Sequence, residues 1–96
     1  MKKDKNELFR KQMDIFYDEL SKTVEEITER CIESDGEVLP QSVAIGIGKT
    51  LGACLGAVTA GVSDKVADEI IELAIEIVKE TTKMYRADFN SFVKGN

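Results

Sequence analysis

The residues that look most like a reactive motif are Gly46-Ile47-Gly48-Lys49-Thr50, which reproduce the Gly-Lys-Thr end of a phosphate-binding loop. Such a loop cradles phosphates with the backbone N–H groups of a glycine-rich turn that follows a strand, while its lysine reaches the terminal phosphates. Here the loop's first glycine is replaced by Val43, and no strand-like run precedes it. Lys49 is therefore read as a cation carried to the surface along an apolar helix. The chain has no histidine, so the usual general base and the commonest nitrogen ligand for a metal are both missing. A serine or cysteine nucleophile lacks its customary partner. No catalytic residue, cofactor site or metal site is assigned, and the chain is expected not to be an enzyme.

A second feature is electrostatic. Asp64, Asp68, Glu72, Glu76 and Glu80 recur at every fourth position, which on a helix draws one line of carboxylates that repel one another in isolation. Lys65, Lys79 and Lys83 reach parts of the line, and the plain reading is a solvated face. Two uses remain open to it. It is a candidate surface for a basic partner segment, or an imitation of phosphate spacing that would occupy a nucleic-acid-binding protein. A di-metal carboxylate centre fits less well, because that architecture pairs inward-facing glutamates with histidines.

Composition narrows the classes further. The chain has 96 residues, enough for one small domain over 1–96, and so short a chain buries a smaller share of its surface than a longer one. Self-association would help it. A net charge of -5 argues against direct nucleic-acid binding, which needs an excess of lysine and arginine. Cys31 and Cys54 are too few and too far apart in sequence for a disulfide framework or a zinc ribbon. They read as small hydrophobes in a reducing compartment. The charged opening Met1-Lys2-Lys3-Asp4-Lys5 does not resemble a secretory signal, so the expected location is cytoplasmic.

Three helices are expected, at about residues 5–35, 40–60 and 63–93. In the first, Phe9, Met13, Phe16, Leu20, Val24, Ile27 and Cys31 follow steps of four, three, four, four, three and four, with Leu8, Ile15 and Ile32 widening the face. This repeat of roughly 3.67 residues per turn matches an eleven-residue period and gives a nearly straight packing seam. Asp4 and Glu7 resemble a capping pair, and Gly36 is a natural stop. Pro40 suits the first turn of the second helix. In the third, Val66, Ile70, Leu73, Ile77 and Met84 form one seam, and Ala67, Ile71, Ala74, Val78, Tyr85, Phe89 and Phe92 another. Gly61 can end the second helix and Ser63 can cap the third, although a continuous helix through Val62 fits the pattern too.

The central segment carries the most specific signal. Gly48, Gly52, Gly56 and Ala60 recur at every fourth position inside an apolar stretch from Val43 to Val62. On a helix they form a smooth stripe where another backbone can approach closely. Each interior glycine costs roughly 0.5–1 kcal/mol relative to alanine, so the stripe implies a compensating contact. Ile47, Leu51, Leu55, Val58 and Val62 lie beside it. The aromatics Phe9, Phe16, Tyr17, Tyr85, Phe89 and Phe92 gather toward the chain ends and read as core or interface anchors.

These features imply an all-α fold, a three-helix up-down-up antiparallel arrangement with long outer helices and a Gly/Ala-striped central helix, completed by homo-oligomerisation. The first helix is basic early and acidic late and the third the reverse, so running parallel they set opposite signs together. The outer helices would reach roughly 45 Å and the central one roughly 30 Å, which leaves apolar surface for a second copy to cover. The expected function is that of a soluble, self-associating protein that binds another protein as adaptor, chaperone or inhibitor. Gly48, Gly52, Gly56, Ala60, Phe9, Phe16, Phe89 and Phe92 are its expected packing residues. In size and charge it resembles secretion accessories and small proteins of phages and mobile elements, a likeness that rests on no motif. The alternatives are an acidic nucleic-acid mimic and a membrane-associated protein. In the latter, residues 43–62 would cross as a glycine-zipper helix; the length suffices, but Lys49 lies inside the span.

Overall fold

The computed structural model describes residues 4–95, with side chains through Ser91. Its regular structure is all-α, in three helices, with no strand among the described residues. α1 is Lys5–Asp35, α2 is Pro40–Thr59 and α3 is Asp64–Gly95.

Local signals account for both ends of α1 and α2 and for the start of α3. At the start of α1 the Asp4 carboxylate accepts from the Asn6 N–H at 2.9 Å, and its carbonyl accepts from the Leu8 N–H at 3.0 Å. The first bond occupies a donor that the first turn would otherwise leave open, the second is the first i→i−4 bond of the helix, and Glu7 adds a carboxylate at the positive end of the helix dipole. At the far end Gly36 takes φ 83°, the left-handed conformation, and its N–H closes on the Ile32 carbonyl at 2.8 Å. Pro40, which has no N–H to satisfy, occupies the first position of α2.

Between α2 and α3 the chain breaks, which resolves the two readings of that junction in favour of separate helices. The break does not use a left-handed glycine: Gly36 is the one glycine with positive φ among the described residues. Instead α2 tightens at its end, with Ala60 N–H to Ala57 carbonyl at 3.4 Å and Val62 N–H to Thr59 carbonyl at 3.3 Å. Ser63 then caps α3. Its carbonyl accepts from the Ala67 N–H at 2.9 Å and its hydroxyl oxygen from the Val66 N–H at 3.3 Å, with Asp64 in the first turn.

The chain divides into two compact units, Met1–Gly46 and Ile47–Asn96, with the boundary inside α2. In the first, the half-buried residues are Thr28 and Cys31 near the end of α1 and Val38 and Val43 just beyond it. In the second they are Leu51, Leu55 and Thr59 on α2, and Ala67, Ile70, Ile71, Ala74 and Thr81 on α3. In the second unit the α2 residues recur at every fourth position, and Ala67, Ile70, Ile71 and Ala74 fall within steps of three and four, so each set marks one face of its helix. No described residue is fully buried.

The left-handed stop at Gly36 generates a test. A Cβ added there meets nothing within 4 Å, so Gly36→Ala should lower unfolding stability by about 1 kcal/mol through backbone conformation alone. Gly36→Asn should recover part of that loss, both read from urea unfolding followed by far-ultraviolet circular dichroism.

Candidate interaction surface

Gly46-Ile47-Gly48-Lys49-Thr50 lies wholly inside α2. In that conformation the backbone N–H groups point along the helix axis and bond within it, so they do not form the concave nest that holds a phosphate. Lys49 is exposed on the same helix.

The small-residue line is placed on α2 for Gly48, Gly52 and Gly56, while Ala60 falls just past Thr59, in the turn. What matters is which side of α2 the chain itself covers. Leu51, Leu55 and Thr59 are half-buried, and each precedes a stripe position by one residue, about 100° around the helix. The glycines face elsewhere. A Cβ built at Gly46, Gly48, Gly52 or Gly56 meets nothing within 4 Å. The chain thus uses the large-residue line of α2 for its own contacts and leaves the smooth line open. Of the neighbours named with the stripe, Ile47, Val58 and Val62 are exposed, Val58 to 68%.

α2 also satisfies a polar group within itself. The Thr59 hydroxyl donates to the Leu55 carbonyl at 2.6 Å, the back-bond by which a hydroxyl can sit on an apolar helix without a partner outside it. Thr23 to Glu19 at 2.9 Å and Thr28 to Val24 at 2.8 Å repeat the device on α1.

The aromatic anchors divide between α1 and α3. Phe9, Phe16 and Tyr17 are exposed on the first half of α1, Phe9 to 66% and Phe16 to 67%; Tyr85 and Phe89 are exposed on α3. The side chain of Phe92 lies outside the described residues. Asp64, Asp68, Glu72, Glu76 and Glu80 are all exposed on α3. Among the described residues no group of histidine, cysteine, aspartate or glutamate gathers as a metal site.

One feature was not singled out from sequence. Ile27, Arg30, Cys31, Ser34 and Asp35 line a shallow hollow of about 310 Å³ on the last turns of α1. Four of them stand at i, i+3, i+4 and i+7, the diamond that receives a side chain from a facing helix. That spacing was available in the sequence as a signal.

The sign of one substitution tests the stripe. If the line is a close-packed interface, Gly52→Leu should lower stability by roughly 1–3 kcal/mol and reduce the assembly size. On a line open to water the same change removes an interior glycine and should raise stability by up to about 1 kcal/mol. We expect the loss, read by thermal unfolding and sedimentation velocity. Comparison of the chain with family models, curated proteins and solved structures finds no match.

Proposed function

We propose that this chain is a soluble, non-enzymatic helical protein that self-associates and binds another protein as adaptor, chaperone or inhibitor. The observation that carries this reading is the incompletely covered α2: a 20-residue apolar helix with no residue fully buried and with open space along its glycine line. Exposed apolar faces on α1 and α3 extend the same demand. A surface of this kind is stabilised when other helices cover it. The glycine line lets a backbone come close, and the exposed aromatics supply the large side chains that dominate such contacts.

A second reading is favoured by the same helix. Pro40–Thr59 has a mean hydropathy of 1.4 and is long enough to cross a bilayer. Two features weigh for water. Lys49 stands halfway along the helix, where a cation costs roughly 2.5–3.5 kcal/mol in a bilayer. Further, α3 starts directly after the turn with half-buried Ala67, Ile70, Ile71 and Ala74, the pattern expected of two consecutive helices leaning on one another. Spanning would require releasing that face, or drawing Asp68, Glu72 and Glu76 into hydrocarbon.

The test is sedimentation of the purified chain without detergent, followed by flotation with lipid vesicles. We expect a soluble species heavier than the 10.6 kDa monomer that stays at the bottom of the gradient. Flotation that resists alkaline carbonate would establish the membrane reading instead. A soluble monomer at all concentrations would remove both.

A further inference from the structure

We propose that α1 pairs with the α1 of a second copy, antiparallel, about a two-fold axis at Leu20. The inference deepens the self-association proposed above and rests on it. The apolar steps of α1 read the same in both directions: Phe9, Met13, Phe16, Leu20, Val24, Ile27 and Cys31 are spaced four, three, four, four, three and four. Pairing residue i with residue 40 − i of a second copy therefore returns the seam to itself. Phe9 meets Cys31, Met13 meets Ile27, Phe16 meets Val24, and Leu20 meets its own copy.

Side-chain size follows the same symmetry. Both phenylalanines fall opposite a smaller residue, which is how facing layers interdigitate at interior density. Parallel pairing would set each ring against its own copy and leave cysteine against cysteine. The match also holds along the whole helix. The seam repeats at eleven residues, Phe9 with Leu20 and Cys31, Met13 with Val24, and Phe16 with Ile27. Such a seam stays nearly parallel to the helix axis, so partners remain in register with little supercoiling.

A shallow, open depression lies at the place this register needs. Under this pairing Phe9 of the second copy arrives at the level of Cys31, between Ile27, Arg30, Cys31 and Ser34. Those residues already line the hollow of about 310 Å³. The seam that would be covered is exposed: Phe9, Met13, Phe16, Leu20, Val24 and Ile27 all lie on the surface.

Charge selects the direction. The first turns of α1 carry Lys5, Arg10 and Lys11 with Glu7, followed by Asp14, Asp18 and Glu19, and the late turns carry Glu25, Glu26, Glu29, Glu33 and Asp35 with Arg30. At this register antiparallel pairing sets Lys5 level with Asp35, Lys11 with Glu29 and Asp18 with Lys22, against the like pairs Glu7 with Glu33, Arg10 with Arg30 and Asp14 with Glu26, whereas in a parallel pair every charge is level with its own copy. Parallel pairing sets the late carboxylates beside their own copies, where like charges repel.

Disulfide trapping tests the register, because a disulfide forms only where Cα atoms come within roughly 4.4–6.8 Å. In a Cys54→Ala background, mild oxidation of Phe9→Cys should give a band at twice the monomer mass. Peptide mapping should place the bond between residue 9 of one copy and Cys31 of the other. The parent, with Cys31 alone, should stay uncrosslinked. In a Cys31→Ala, Cys54→Ala background, Leu20→Cys should crosslink to its own copy, which keeps the test valid if loss of the Phe9 ring weakens the pair. Crosslinking of the parent through Cys31 would overturn the direction. No crosslink in either variant, in a protein that still sediments as an oligomer, would overturn the α1 pairing and leave self-association standing. A monomer throughout would overturn both.

Discussion

Apolar surface without an interior is the constraint on which the other features of this chain depend. Three regular helices form, yet no described residue is fully buried, and rings such as Phe9, Phe16 and Phe89 stand about two-thirds exposed. Ordering a residue costs roughly 1–2 kcal/mol of backbone entropy, which folded proteins offset chiefly by burying apolar area at roughly 25 cal/mol per Å². Helix propensity and caps contribute a few tenths to about one kcal/mol each and cannot replace that term. The caps at Asp4, Gly36 and Ser63 decide where helices begin and end, while the apolar faces that remain exposed contribute little to how stable those helices are.

α2 shows how the constraint is divided. Its two candidate packing lines stand side by side, one of large residues and one of glycines. Leu51, Leu55 and Thr59 take the half-buried role, and the smooth line remains open. The division has physical sense. Large side chains gain from any apolar cover, including a loosely leaning neighbour. A line of bare backbone gains only from a helix close enough to touch it, and a distant one leaves a void with no compensating contacts.

Much of the architecture was legible in the sequence because its signals are local. Asp4 before a polar first turn, Gly36 after Ser34-Asp35, Pro40 opening an apolar run and Ser63 before Asp64 each act within one helical turn, and the observed boundaries follow them. The junction near Gly61 was less legible, since a glycine stop and a tightened last turn give the same composition, and only backbone angles separate them. Periodicity identified the faces of α2 and α3 but not which of them the chain would cover. Leu51 and Gly52 belong to lines with the same four-residue step, and the choice between them is made by tertiary contact. The Gly-Lys-Thr motif misleads for a related reason: the residues of a phosphate loop are present, but the helix they belong to engages the backbone donors that the chemistry would need.

The cost of the glycines links folding to association. With no Cβ neighbour within 4 Å at Gly48, Gly52 or Gly56, the single chain returns nothing for the roughly 0.5–1 kcal/mol that each forfeits against alanine. An isolated copy is therefore less stable than its own alanine variant would be, and the deficit closes only when a backbone approaches the line. A species that binds the folded form stabilises it by mass action, so the helical content of this chain should depend on its concentration or on a partner that competes for the same faces. Under the proposed association, folding and recognition would draw on the same exposed apolar faces, so a substitution that changed one would change the other.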